Sequence, residues 1–335
     1  MGFHPKNYRA IRQEYETKYL RAQENAQRRR QEVELAIPGV AEIHRELSGV
    51  GLSIMHASIQ AKTPEERENA IAGLREKNEQ LLAQRKQLLR AAGYPEDYTE
   101  LRYECPTCSD TGYLDNGAMC HCMREKLLAA AYASSGLGAL LATQSFDNFD
   151  TDYFKSDDKT YRTMSTVLAT MKRYAEEFSV EHADHMPAGG NLLLVGGTGL
   201  GKTHLSTAVA KTLLDRGFDV LYTGATALVA SFEQARFGSS AGAPDTDDTQ
   251  RYFDCDLLII DDLGTEVSNQ FTVSSLYNVI NTRLNLHRPT IISTNLLQDE
   301  LRRRYWDRIT SRLFGEYQIL LFLGTDVRAQ KIRRG

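Results

Sequence analysis

The run Gly196, Gly197, Thr198, Gly199, Leu200, Gly201, Lys202 and Thr203 constrains the fold of this chain more than any other feature, because it follows directly on the apolar stretch at 191–195. It fits G-x-x-x-x-G-K-[ST] in the context that the pattern requires, with a strand in front and a helix-forming segment at 202–214 behind. The glycines let the backbone curl so that successive N–H groups and the start of the next helix face one polyanion. Lys202 then reaches the β and γ phosphates, and the Thr203 hydroxyl completes the shell of a Mg²⁺ ion. A loop of this kind at a strand–helix junction commits the chain to a parallel sheet covered by helices.

The rest of the sheet follows from texture. Short apolar or β-branched runs at 192–195, 220–223, 257–260, 290–294 and 319–323 alternate with helical stretches, the pattern of buried parallel strands. The third run, LLIIDD, delivers two carboxylates at a strand's C-terminal end, where ligands of such sheets bind. Asp261 is expected to hold Mg²⁺, directly or through water, and Asp262 to orient or deprotonate the attacking water, with an N-cap role as its alternative. Glu266 is a weaker substitute for that base. Asn295 ends the strand TIISTN, where an amide can touch both the γ-phosphate and the water; a plain turn residue is the alternative. Arg308, Arg312 and Arg328 are candidates for stabilising transition-state charge, a role often filled from a neighbouring subunit.

Upstream of the sheet the chain changes character. Residues 8–35 carry Ile11, Tyr15, Tyr19, Ala22, Ala26 and Val33 on one helical stripe, and Pro38-Gly39 is expected to close it. A second helix is signalled by Thr63, Pro64 and Glu66 and ends at Gly93. Its stripe of Ile71, Leu74, Leu81, Leu88 and Ala92 reads as half of a helical hairpin, with a short dimerising coiled coil as the alternative. Cys105 and Cys108 form a C-x-x-C pair, followed after eleven residues by the C-x-C pair Cys120 and Cys122. Four thiolates so spaced can close a tetrahedral Zn²⁺ site, although His121 could replace one of its neighbours; thiol redox chemistry is the other use of such a pair. The isolated Cys255 reads as a packing residue. Residues 238–249, GSSAGAPDTDDT, read as a mobile loop.

Composition excludes whole classes. Apolar residues are 41% and charged residues 25% of the 335, ordinary for globular chains and wrong for a disordered one. The long uncharged window at 127–146 is too dilute in large apolar residues to span a bilayer, and the polar start carries no secretory signal, so a cytoplasmic location without membrane contact is expected. The formal charge of −4 gives no general pull toward polyanions. Residues 301–335, however, hold nine Lys or Arg against three Asp or Glu, so any such contact is local.

Taken in order, GGTGLGKTHL, LLIIDDLGTE, IISTN and ITSRL resemble the AAA+ ATPases of the DnaC/DnaI helicase-loader group, which are related to the IstB transposition helpers. The likeness covers residues 145–331, with SFDNFD resembling the group's lead-in segment. CPTCSDTGYL and CHC resemble the zinc-binding N-terminal domain of loaders from Gram-positive bacteria and their phages. The resemblance implies an α/β P-loop AAA+ (ASCE) parallel sheet sandwiched by helices, preceded by a mainly helical N-terminal domain with a small zinc-binding module. The expected divisions are 1–98 for partner binding, 99–142 for the zinc module and a linker helix, and 143–335 for the ATPase.

The family pattern makes Lys202 and Thr203 the Walker A residues, Asp261 and Asp262 the Walker B pair, Asn295 sensor 1, Arg312 the arginine finger with Arg308 as runner-up, and Arg328 sensor 2. ATP, Mg²⁺ and Zn²⁺ are the implied cofactors. Asp262 stands where many such ATPases carry Glu, which points to weak, DNA-stimulated hydrolysis. The implied function is loading of a replicative helicase, a DnaB-type hexamer, onto single-stranded DNA, with self-assembly through ATP interfaces. An IstB-like transposition helper and a nucleotide-switched DNA adaptor with little turnover are the alternatives. By the same resemblance the insertion at 226–249 helps engage single-stranded DNA, where Phe232, Arg236 and Phe237 offer two rings and a cation; ordinary helix residues are the alternative.

Overall fold

The computed structural model describes residues 3–60, 63–237 and 246–334. Two compact units are formed, one from 10–123 and the other from 1–9 together with 124–335.

Within residues 10–123 the helices follow the apolar stripes. Helix α1 (Pro5–Ala36) buries Ile11, Tyr15, Ala22, Ala26 and Val33, while Tyr19 stacks on Tyr103. Pro38 does not end the helical region; it opens a further helix, α2 (Pro38–Gln60), after the single residue Ile37. Proline suits a first helical position because no N–H is needed there. Helix α3 (Pro64–Ala91) lies against α2, burying Leu81 with Ile43 and Val50 beside Leu47, Leu74 and Leu88. Its apolar stripe is therefore consumed by a hairpin inside the chain.

In the second unit, α4 (His121–Ser134), α5 (Leu140–Thr143) and α6 (Asp158–Glu177) precede β1 (Leu192–Val195). There follow α7 (Lys202–Asp215), β2 (Val220–Gly224), α8 (Ala225–Phe237), α9 (Thr246–Asp254), β3 (Leu257–Leu263), α10 (Gln270–Asn285), β4 (Thr290–Thr294), α11 (Gln298–Gly315), β5 (Gln318–Leu321) and α12 (Val327–Arg334). The strands form one parallel sheet in the order β2-β3-β4-β1-β5. The phosphate-loop strand β1 is thus separated from the acidic strand β3 by β4, which sets the ends of all three side by side. Every residue of β1 and β4 is buried. Leu193, Val195, Leu258, Ile260 and Ile292 share a core with Leu228 of α8, Leu276 and Ile280 of α10, and Leu301 and Tyr305 of α11. The intervening Leu192, Leu194, Ile259 and Ile291 are buried as well, so both faces are covered, as a parallel sheet demands.

The pairing of β3 with β4 slips between Ile260 and Leu263, and Asp262 at this bulge has φ 53°. At the outer edge of β2, the Tyr222 N–H donates to Ser135 O at 2.7 Å. Gly136 approaches so closely that a Cβ there would meet Tyr222 O at 2.2 Å. Finally, the fully buried Arg283 donates from its three nitrogens to the carbonyls of Tyr252, Phe253, Cys255 and Pro289 and to Thr290 Oγ1. Cys255 is a packing residue in this core.

The loop expected at 238–249 lies, for residues 238–245, outside the described residues, and residues 246–249 open α9. Among the described residues no helix is long and apolar enough to cross a membrane.

Candidate functional site

The chain leaves β1 and turns through Gly199 and Gly201, at φ 71° and 90°, before entering α7. Gly201 is required twice over. Its φ is left-handed, and a Cβ would meet the Phe149 ring at 2.6 Å. This loop forms the floor of a cavity of about 410 Å³ lined by Thr198, Gly199, Leu200, Gly201, Lys202 and Thr203. Its walls come from Asp262, Asn295, Val327 and Arg328, and from the lead-in segment through Gln144, Asn148, Phe149, Asp150, Tyr153 and Phe154. Phe149 stacks on Phe154 and meets His204 edge-on, while His204 Nε2 lies 2.8 Å from Ser145 O. The aromatic wall is thereby fastened to the helix that carries the lysine.

Lys202 Nζ donates to Gly196 O at 2.6 Å, Gly197 O at 2.7 Å and Asn295 Oδ1 at 2.7 Å. Burial lowers its pKa, and the charges of Asp262 and Asp261 act in the opposite direction. The other end of the Asn295 amide donates to Asp262 Oδ1 at 3.3 Å, so one side chain bridges the lysine and the exposed carboxylate. Asp261 is buried. It accepts from Thr203 Oγ1 at 2.8 Å, from the Tyr222 hydroxyl at 2.5 Å and from Ser293 Oγ. Ser293 Oγ also accepts the Asp262 N–H at 2.9 Å. The bulge at Asp262 explains why two consecutive strand residues serve one site: the left-handed backbone turns the second carboxylate out to the cavity, where a regular strand would have sent it to the opposite face.

One sequence candidate fails here, and one alternative holds. Glu266 is no substitute base: it is buried, accepts from Gly264 N at 2.9 Å and pairs with Arg304 and Tyr305. Phe232 is half-buried and packs against the core beside Tyr252 and Phe253, as an ordinary helix residue does. Arg236 sits over the Phe271 ring, and the Phe237 side chain lies outside the described residues. Arg328 lines the cavity, but Arg312 does not. Its guanidinium donates to Asn281 Oδ1 at 2.8 Å, Arg308 O at 2.9 Å and the Tyr277 hydroxyl at 3.0 Å. The Arg308 side chain is exposed. Tyr222 and Ser293 are the residues that sequence reasoning missed, and no motif marks either.

The four cysteines also meet. The Sγ atoms of Cys105, Cys108, Cys120 and Cys122 lie within 4.8 Å of one another, with 3.9 Å between Cys105 and Cys120 and 3.6 Å between Cys108 and Cys122. Tetrahedral Zn–S bonds of about 2.3 Å place sulfurs about 3.8 Å apart, so the donor set fits Zn²⁺. The Asp110 carboxylate folds the first pair by accepting from Glu104 N at 2.9 Å and Cys105 N at 2.7 Å. Cys120 N donates to Gly112 O at 2.9 Å, closing the hairpin between the pairs. Burial raises the thiol pKa of Cys122 to about 12 and also raises that of Cys108, whereas the Cys108 backbone N–H lowers that of Cys105 to about 6, so one thiolate is favoured by the fold itself and a cation would favour the buried ones. His121 stands aside, its Nδ1 3.5 Å from Cys120 Sγ.

A parallel sheet with an extra strand between β1 and β3, a G-x-x-x-x-G-K-T loop and a strand-end carboxylate on its threonine define a P-loop nucleotide-binding protein. Residues 178–312 match the family model described as IstB-like ATP binding protein. The replicative helicase loader DnaC of Escherichia coli (strain K12) is 23% identical over 190 residues, covering 57% of this chain and 71% of that protein. The phage-like element PBSX protein XkdC of Bacillus subtilis (strain 168) is 28% identical over 231 residues, covering 63% of this chain and 79% of that protein. A crystal structure of the DnaC helicase loader superposes with a TM-score of 0.46 at 20% identity, covering 55% of this chain and 98% of that one.

Proposed function

We propose that this chain is an ATP-controlled loader that places a replicative helicase on single-stranded DNA. The observation that carries the proposal is that Lys202, Thr203, Asp262 and Asn295 line one cavity, with Asn295 joining Lys202 to Asp262 and the buried Asp261 accepting from Thr203 behind them. A relative that bears the helicase-loader name supports the biological role. The phosphates of ATP are held by the loop amides of Gly196 to Thr203 and by Lys202, and Thr203 and Asp261 serve Mg²⁺, which supplies charge neutralisation on the phosphate oxygens when bound. Asp262 orients the attacking water from its exposed position, and Asn295 holds that carboxylate and the lysine in register. Arg328 acts on the phosphates from within the same chain. Arg312 acts on the nucleotide of a neighbouring copy, a reading supported by its not lining the cavity of its own chain. Hydrolysis is weak and rises with DNA, because Asp at 262 reaches less far than Glu.

Division of labour follows the chemistry. Residues 1–98 bind the helicase, 99–142 form the zinc module and linker helix, and 143–335 bind ATP and DNA in the cytoplasm. The DNA contact is salt-sensitive and indifferent to base sequence, since it draws on basic side chains around the insertion and in 301–335. The test is a pull-down of the cognate helicase with the full chain and with Lys202→Ala, combined with DNA binding in the presence of ATP. Capture of the helicase by both, with ATP-dependent preference for single strands only in the wild type, supports the loader. A preference for duplex DNA without helicase capture supports a transposition helper instead, the reading that the family model's name favours. Single-strand binding switched by ATP without measurable turnover would leave a nucleotide-switched adaptor.

A further inference from the structure

Asp261 accepts three side-chain hydrogen bonds, and its partner Tyr222 has no part in the chemistry above. Its Oδ2 accepts two hydrogen bonds, from Thr203 Oγ1 at 2.8 Å and from the Tyr222 hydroxyl at 2.5 Å. A carboxylate oxygen has two lone-pair directions, so Oδ2 is full. Thr203 can offer its oxygen to a cation while its proton stays on Asp261. Ser293 occupies the other carboxylate oxygen and also fixes the Asp262 N–H. The Tyr222 hydroxyl bonds Asp261 and, unlike that of Thr203, belongs to no part of the phosphate-binding loop.

We propose that Tyr222 is a positioning residue that competes with Mg²⁺ for Asp261. Its hydroxyl has to let go of Oδ2 before that oxygen can accept from the water shell of a cation held at Thr203. Tyr222 therefore sets how much Mg²⁺ the site demands, while leaving the phosphate-binding loop untouched. The ring is half-buried and its backbone is tied to Ser135, which keeps the hydroxyl in place as a standing competitor. This inference rests on the assignment of Asp261 as the carboxylate that serves the cation.

The test is a Mg²⁺ titration of the binding of a fluorescent ATP analogue to the full chain and to Tyr222→Phe, which keeps the ring and removes only the hydroxyl. A hydrogen bond to a charged group contributes roughly 1.5 kcal/mol or more, so the half-saturating Mg²⁺ concentration is expected to fall about tenfold in the variant. Analogue affinity in excess chelator is expected to stay as in the wild type, which separates competition from a structural role, while the metal-free thermal midpoint falls by a few degrees for the lost hydrogen bond. Ser293→Ala serves as the contrast, because it leaves the Asp262 N–H unpaired and is expected to raise the Mg²⁺ demand. An unchanged or higher Mg²⁺ demand in Tyr222→Phe overturns the inference, as does an equal fall in both variants. Wild-type binding that ignores Mg²⁺ altogether overturns the Asp261 assignment itself.

Discussion

Arg283 gives the sharpest test of how the sheet beneath the nucleotide site is held. Its guanidinium is fully buried, and carbonyl oxygens and one hydroxyl satisfy it: Nε donates to Thr290 Oγ1 at 3.0 Å and the terminal nitrogens reach Tyr252, Phe253, Cys255 and Pro289 at 2.7–3.2 Å. These carbonyls stand just ahead of β3 and β4, so one side chain ties the approaches to both strands. Replacing it with Met keeps the volume but takes the guanidinium donor from the carbonyls of Tyr252, Phe253 and Cys255, each loss costing about 1–3 kcal/mol, while Pro289 O keeps the Leu258 N–H. The variant is also relieved of burying a charge, which offsets part of that loss. We take the net as about 3–5 kcal/mol, a large share of the 5–15 kcal/mol typical of a whole domain. Hydrogen exchange of the β3 and β4 amides in the full chain measures it, since such central amides open only with the sheet. Exchange is expected to quicken at least about a hundredfold in Arg283→Met. Arg283→Lys is expected to fall between, because three ammonium donors lack the planar fork. A change below about tenfold in Arg283→Met would refute the reasoning and mean that the carbonyls find other donors.

Lys202→Ala is expected to abolish binding of a fluorescent ATP analogue, whereas Asp262→Asn keeps it and lowers phosphate release by about a hundredfold. Equal affinity in the lysine variant would remove the site assignment. Arg312→Ala is expected to leave ATP affinity within about threefold of the wild type while turnover or ATP-dependent assembly collapses, the mark of a guanidinium acting in a neighbour's site. Lost affinity with normal assembly would instead give it a role within its own chain and favour Arg308 as the finger. Elemental analysis of reduced protein is expected to find one zinc ion per chain. Chelation should raise exchange at residues 105–122 while the sheet keeps its protection, and protein without zinc but with those amides protected would end the metal assignment.

The phosphate site was legible because its chemistry enforces spacing. A loop that wraps phosphates needs glycines at fixed steps from Lys202, and carboxylates that serve it must end a strand, so Asp261, Asp262 and Asn295 could be picked out before their contacts were known. Cysteine pairs announce themselves in the same way. What stayed hidden depends on residues distant in sequence. Tyr222 looks like any strand aromatic until the order β2-β3-β4 brings its hydroxyl to Asp261, and Arg283 looks like a surface cation ending a helix. Phe232 had the composition of a stacking site, yet it packs against the core beside Tyr252 and Phe253. Glu266 had the right distance from Asp262 along the chain, but Arg304 and Tyr305 claim it. Helix α2 was masked by Gly49 and Gly51, whose poor helix propensity is outweighed by the packing of Ile43 and Val50 on α3.

The fastening of Ser135 and Gly136 to Tyr222 bears on how this protein behaves at high concentration. Strand β2 ends the sheet on one side, and an uncovered edge strand is a template on which other chains can add. Ser135 takes up one of its amides, and Gly136, at φ 80°, lets the backbone lie flush where a side chain would have been forced away. The connecting segment is thus a built-in guard against strand addition. A fragment beginning at residue 143 discards that guard along with the cysteine module. Aggregation of such a fragment would report the loss of an edge cover rather than a failure of the nucleotide-binding fold, and fragments that keep residues 135–142 are the better test of what the sheet can do alone.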